Sequence, residues 1–258
     1  MNHTNILPDA SSLLPNHLPE TGLRERLMQR VRKSHARESQ FHTIRRDAGQ
    51  WSALQFDARQ KPLADTPAAH SALLELAPGA TLEQPRGWTM QEVVLLVGNA
   101  ALGDALLACG DAVCAPHDAA HLLRAGAAGA RLYLRLSAPQ ASPQQTLQFS
   151  TLVDDATWQD FCPGVRIKEL WNGGERRSVL VRMRAGSHVN SHDHGLEEEC
   201  MMLAGEAFIG DTLLRGGEYQ LAPQGSRHGA VQTDVGALFY VHGSLDPAAY
   251  APAPTART

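Results

Sequence analysis

The chain has 258 residues, of which 43% are apolar and 19% charged, with a formal net charge of −4; this is enough chain to bury one large or two medium cores. Lys and Arg form no stripe wide enough to neutralise a run of phosphates, which excludes nucleic acid as an expected partner. The most apolar stretch, VVLLVGNAALGDALLACGDAVCA, is broken by Gly98, Asn99, Gly103, Asp104, Gly110 and Asp111, so no segment reads as a bilayer-crossing helix and no membrane role is expected.

Residues 1–20 carry Pro8, Pro15 and Pro19 among Asn, Ser and Asp and read as irregular. They lack the basic start and continuous apolar core of a secretory signal, so the expected location is cytoplasmic. The segment TGLRERLMQRVRKSHA then sets Leu23, Leu27, Met28 and Val31 on one stripe of a charged cylinder, which predicts an amphipathic helix over 22–35. Such a stripe needs a cover, either the body of the chain or a second copy, and a homodimer is the expectation. The four cysteines, Cys109, Cys114, Cys162 and Cys200, form no C-x-x-C pair and are expected to be reduced thiols. Cys200, among apolar neighbours, reads as a small buried hydrophobe.

Beyond residue 40 the chain repeats itself with an offset of 107 residues. Gly79, Gly98, Gly103-Asp104 and Leu106-Leu107 match Gly186, Gly205, Gly210-Asp211 and Leu213-Leu214. Gly110, Pro116, His121 and Tyr133 match Gly217, Pro223, His228 and Tyr240. Upstream, FHTIRRDAGQW pairs with FSTLVDDATW once one residue of slippage is allowed. Two copies of one domain follow. Within each, short apolar runs such as SALLELA, EVVLLVG, SVLVRMRAG, ECMMLAG and ALFYVHG are bounded by Gly, Pro, Asp or Asn. That texture predicts an all-β fold of jelly-roll barrel type.

The second copy contains HVNSHDHGLEEEC. His192 and His194 are two apart, so on a strand both imidazoles leave one face and can grip a single ion. Glu198 shares their parity at the entry to the next apolar run. A further ligand must come from a distant part of the chain, and His228, in GGEYQLAPQGSRHGAVQ, is the candidate. A lone His in a polar loop is ordinarily a surface residue. A spaced set of three His and one Glu, in a chain with 12 His, is a coincidence on the order of one in 10^5. His188 and Glu197 have the wrong parity or spacing for the set. Glu199 stays open as an alternative carboxylate ligand; Glu198 is preferred for its distance to Gly205.

The run Gly186, His192, His194, Glu198, Gly205, followed by Gly217, Pro223, Gly225, His228, resembles the paired motifs of the cupin superfamily, with Gln232 where Asn is usual. The resemblance implies two tandem cupin barrels after a short amino-terminal helix. The boundaries are 1–40 for an irregular segment plus the helix, 41–140 for a cupin without metal ligands, 141–246 for a metal-binding cupin and 247–258 for a disordered tail. It also implies one divalent transition metal per chain (Zn, Fe, Mn or Ni) held by His192, His194, Glu198 and His228. In the first copy, Pro85, Gly87 and Gln91 stand at the positions of His192, His194 and Glu198, and His121 stands opposite His228. One imidazole and an amide do not hold a transition ion against water, so an empty pocket is expected there.

The order of a short helix, FHTIRRDAGQW, a ligand-poor barrel and a ligand-complete one resembles the cupin-bearing part of ChrR-type anti-sigma factors and their stand-alone relatives. That family's known role implies a regulatory module sensing oxidative stress or a small ligand, with a sigma factor or other protein as possible partner. The H-x3-C-x2-C zinc arrangement of such anti-sigma factors is absent, since no cysteine precedes Cys109. The alternative is an Fe(II)-type dioxygenase acting on a β-diketone or aromatic ketone-like substrate, as in other cupins similar to the ChrR type. No residue is assigned a catalytic role: there is no Ser-His-Asp set, and RGGEYQ lacks the Lys of a phosphate loop.

Overall fold

The computed structural model describes residues 22–83, 87–116, 122–138, 148–151 and 155–244. The irregular segment expected over 1–20 and the tail expected over 247–258 lie outside the described residues. The chain divides into two compact units, Met1–Arg37 and Glu38–Thr258.

The expected helix forms, running Leu23–Glu38, all but its last residue in the first unit. Glu25, in its first turn, reaches back to accept from the Gly22 N–H at 2.8 Å, which satisfies a donor that the helix start leaves bare. On its apolar stripe Leu23 is 65% and Val31 58% exposed. Arg24, Arg26, Arg30, Arg32 and Lys33 outnumber Glu25 and Glu38 along it.

The second unit is all β. Its first sheet runs, neighbour by neighbour, Gln148–Ser150, Ala112–Pro116, Met90–Leu102, Leu122–Ser137, Ala69–Leu76, Ala58–Asp65 and Ser52–Gln55. The second runs His42–Ile44, Tyr219–Ala222, Glu198–Ile209, Ala237–Gly243, Arg177–Met183, Val165–Asn172 and Gln159–Cys162. The two orders are the same list displaced by the sequence repeat. The exception is the first strand of each, which is exchanged. His42–Ile44 opens the first copy yet pairs with Tyr219–Ala222 of the second; Gln148–Ser150 opens the second copy yet pairs with Ala112–Pro116 of the first. These are two tandem jelly-roll barrels that share their edges.

Strand alternation divides the apolar residues between barrel interior and interface. In Arg177–Met183, Val179, Val181 and Met183 join the interior cluster of the second barrel with Cys200, Met202, Phe239 and Val241. Leu180, between them, joins a cluster drawn from both sheets, which includes Leu73, Val94, Tyr133, Met201, Tyr219 and Tyr240. A strand buried on both faces reads as a continuous apolar run, as SVLV does. Each fully buried Leu, Val or Met contributes about 1.5–3 kcal/mol. The interior of the first barrel is closed by Ala72, Leu74, Val93, Leu95, Leu134 and Leu136.

Glycine marks the corners. Ile209 pairs with Thr212 and Leu102 with Ala105, leaving Gly210-Asp211 and Gly103-Asp104 as two-residue turns. Only the glycine of each has positive φ, +61° and +56°, the pattern of a type II′ hairpin, whose twist suits the flanking strands.

Candidate metal centre

Two short strands, His192–Asp193 and Arg227–His228, pair antiparallel with His192 directly opposite His228. The ladder continues through His194 N–H to Ser226 O at 2.9 Å and Gly225 N–H to His194 O at 2.8 Å, so Pro223 and Gly225 form the turn that delivers Ser226 and His228. Glu198 opens the strand Glu198–Ile209, paired with Ala222. It shares the parity of Cys200, which lines the barrel interior. One ligand atom from each of His192, His194, Glu198 and His228 lies within 4.8 Å of all the others. Glu198 Oε1 stands 3.7 Å from His194 Nε2 and 3.8 Å from His228 Nε2. His188 is exposed, and neither it nor Glu197 enters the cluster.

Each imidazole is oriented through its other nitrogen. Nδ1 of His192 bonds Asn190 O, and Nδ1 of His228 bonds Gly229 O, both at 2.9 Å. A carbonyl only accepts, so both Nδ1 atoms carry the hydrogen. Nδ1 of His194 lies 2.9 Å from Ser226 Oγ. That hydroxyl donates to Pro223 O, which makes it an acceptor toward His194 as well. All three rings are therefore held as the tautomer with a bare Nε2, the form that ligates a metal. His194 Nε2 is buried with no hydrogen-bond partner. A buried nitrogen lone pair left unpaired is costly, and here it faces a carboxylate and two like nitrogens. These residues fit a divalent transition ion: nitrogen and carboxylate donors suit Zn, Fe, Mn or Ni.

Burial pushes His194 down to about 4, against the pull of Glu198, so its ring is neutral at ordinary pH. Burial also works against the Glu198 carboxylate, yet His228, His192 and His194 together hold it below its usual range. His228 is desolvated too, but the neighbouring Glu198 outweighs this and raises it. Phe41, 7% exposed, sets its ring edgewise at 6.4 Å from His194 and 6.2 Å from His228. It immediately precedes the exchanged strand His42–Ile44, so the start of the first repeat walls the site in the second.

Beside the cluster lies a cavity of about 60 Å³, lined by Phe161, Ile167, Val181, Val189, His192, Glu198, Val231, Phe239, Val241 and Ser244. Space for one water needs roughly 10–15 Å³ on this measure, so the cavity holds a few heavy atoms. Cys200 lines a neighbouring recess, and burial pushes its thiol far up, so it is not a ready thiolate.

In the first barrel, Pro85 and His121 lie outside the described residues. Gly87 offers no side chain, and Gln91 is fully buried.

Glu199, the alternative ligand, faces the other way. Its Oε2 accepts from Ser71 and, at 2.8 and 3.2 Å, from Tyr219 and Tyr133, and its Oε1 accepts from Arg135 Nε at 2.8 Å. None of the sequence motifs marks this buried network between the barrels. The signal was present, since Ser71 and Ser178, Glu92 and Glu199, and Tyr133 and Tyr240 are identities in the same 107-residue register.

Two sheets of jelly-roll order with a converged His3Glu cluster in one of them define a class: the chain has the fold of a two-barrel cupin. Its second barrel resembles the ChrR type, because residues 147–246 match the family model for the ChrR cupin-like domain. Similar solved structures include a candidate dioxygenase from Nostoc punctiforme, 15% identical, covering 83% of this chain and 87% of its own, with a TM-score of 0.62. AerE from Microcystis aeruginosa is 16% identical over 80% of this chain and 100% of its own, with a TM-score of 0.61. A point mutant of Bacillus subtilis oxalate decarboxylase is 15% identical over 84% of each chain, with a TM-score of 0.56. At these identities the likeness is one of fold. No curated protein matches the chain.

Proposed function

We propose that the second barrel binds one divalent transition ion through His192, His194, Glu198 and His228, and that this ion presents a small ligand to a sensing or regulatory module. The observation that carries the reading is the bare, buried Nε2 of His194, set among two further Nε2 atoms and a carboxylate whose ligand atoms all lie within 4.8 Å. When bound, the ion would act as a Lewis acid with one or more positions open to an oxygen donor. The chain's own contribution is orientation, through the three Nδ1 bonds, and exclusion of water, through Phe41 and the apolar cavity wall. The size of that cavity restricts the part of a ligand beside Glu198 to a few heavy atoms. Support for regulation comes from the likeness to the ChrR cupin-like domain. On this reading the module works in the cytoplasm, as a homodimer or with a protein partner.

Elemental analysis of protein purified without added metal should find about one equivalent per chain. His192→Ala or His228→Ala should lose most of it, and His188→Ala should lose none. Retention of full metal by either of the first two variants would sink the site.

An oxygenase is the second reading, favoured by the apolar cavity that opens on His192 and Glu198 and by the shared fold with a candidate dioxygenase. Anaerobic loading with Fe(II), followed by oxygen uptake with β-diketones and phenolic ketones, should then give turnover. An absence of uptake across the panel, with iron bound, removes this reading and leaves the first.

A further inference from the structure

Between the barrels lies a buried set of polar side chains related by the internal repeat. From the first copy come Ser71, Glu92, Tyr133 and Arg135; from the second come Ser178, Glu199, Tyr240 and His242. All eight are at most 1% exposed. Each copy grips the carboxylate of the other. Ser71, Tyr133 and Arg135 bond Glu199. Tyr240 donates to Glu92 Oε2 at 2.9 Å, and His242 Nδ1 stands 3.4 Å from Glu92 Oε1 and 2.8 Å from Ser178 Oγ. The exchange is not symmetric in chemistry. Arg135, which also reaches Glu92 at 3.5 Å, belongs to the copy without metal ligands, and a neutral or weakly basic His242 takes its place in the other.

Glu199 is joined to Glu198 by one peptide bond at the start of Glu198–Ile209. Successive residues of a strand point to opposite faces, so when Glu199 is fixed on the interface face, Glu198 is fixed on the barrel face. A strand's first residue has few constraints of its own, and here four hydrogen bonds hold the next one. We infer that Glu199, clamped by Arg135, Ser71, Tyr133 and Tyr219, is the positioning residue that aims Glu198 at the three histidines, and that the ligand-poor barrel is retained as the far half of this clamp. The inference rests on the metal reading above.

The repeat supplies its own control. Glu92 sits in the same network with the same kind of partners, but the residue before it, Gln91, belongs to the barrel without the histidine set. The test is Co(II) binding to the full chain, read as affinity by chelator competition and as ligand geometry by the visible absorption band. Glu199→Gln should weaken Co(II) binding by roughly 10- to 100-fold, the range for partners that orient a ligand, and should alter the band. Glu92→Gln removes an equivalent buried charge and should lower the thermal midpoint comparably, but it reaches Glu199 only through the 3.5 Å contact with Arg135, so it should weaken affinity and alter the band far less than Glu199→Gln does. Tyr219→Phe and Ser71→Ala each delete one bond to Glu199. They keep the test alive should Glu199→Gln fail to fold, and each should weaken binding several-fold. Arg135→Lys, which keeps the charge, should bind more tightly than Arg135→Met. Equal effects of Glu92→Gln and Glu199→Gln on the band, or an unchanged band and affinity in the Glu199, Tyr219 and Ser71 variants, would overturn the inference while leaving the metal site standing. Wild-type protein that takes up no Co(II) would instead overturn the metal reading, and this inference with it.

Discussion

Ser226 shows how one side chain sets the chemistry of another. Its hydroxyl hydrogen is committed to Pro223 O, so its oxygen can only accept from His194 Nδ1, and the lone pair of that ring is sent to Nε2. Of the three groups that orient the histidines, Asn190 O and Gly229 O are backbone, which leaves Ser226 as the one that substitution can remove. Ser226→Ala should therefore weaken metal binding by roughly 10- to 100-fold, measured by chelator competition. It should also cost about 1–3 kcal/mol of stability, because both bonds of the hydroxyl are lost and the buried His194 Nδ1–H is left without an acceptor. A variant that binds as tightly as wild type would show that packing alone orients His194.

At the scale of the element, the motif glycines are conformational rather than chemical. Gly205 has φ +72°, and a Cβ there would stand 2.1 Å from Gly236 O; Gly98 and Gly129 O repeat the arrangement in the first barrel, also at 2.1 Å. Gly174 also has positive φ, +90°, but nothing lies within 4 Å of its Cβ position. Gly205→Ala should destabilise by more than about 2 kcal/mol, whereas Gly174→Ala should cost only about 1–2 kcal/mol of backbone strain. Urea midpoints distinguish the two. These fixed corners explain why the candidate His3Glu cluster was legible in the sequence. Gly186, Gly205, Gly217, Gly225 and Pro223 set the turns, and the ligands then fall at constant distances from them. The choice between Glu198 and Glu199 was harder to read, because neighbours on a strand differ only in which face they present, and both faces of this strand are buried. The helix was legible from its period, but its apolar stripe gave no account of its cover, and Leu23 and Val31 remain exposed. The exchanged strands were not legible at all: FHTI and FSTL announce two repeats, and nothing local in them says which sheet each will join.

At the scale of the whole unit, the barrels are not separable. Each completes the other's edge, and each holds the other's buried carboxylate. Leaving a buried charge without its partner costs roughly 3–5 kcal/mol, a large share of a typical domain's stability. The full chain should unfold in a single transition in which both barrels melt together. A fragment of residues 141–258, lacking His42–Ile44 and Arg135, should show no cooperative transition by circular dichroism, with or without metal. A fragment that melts sharply would show that the second barrel stands alone. The exchanged strand His42–Ile44 also bears on the order of events during synthesis. Its partner Leu221 leaves the ribosome about 180 residues later, a delay of roughly ten to forty seconds at ordinary translation rates. For that interval Phe41 and the three residues after it have no berth, so the newborn chain must keep an apolar end unmatched until its last barrel is nearly complete.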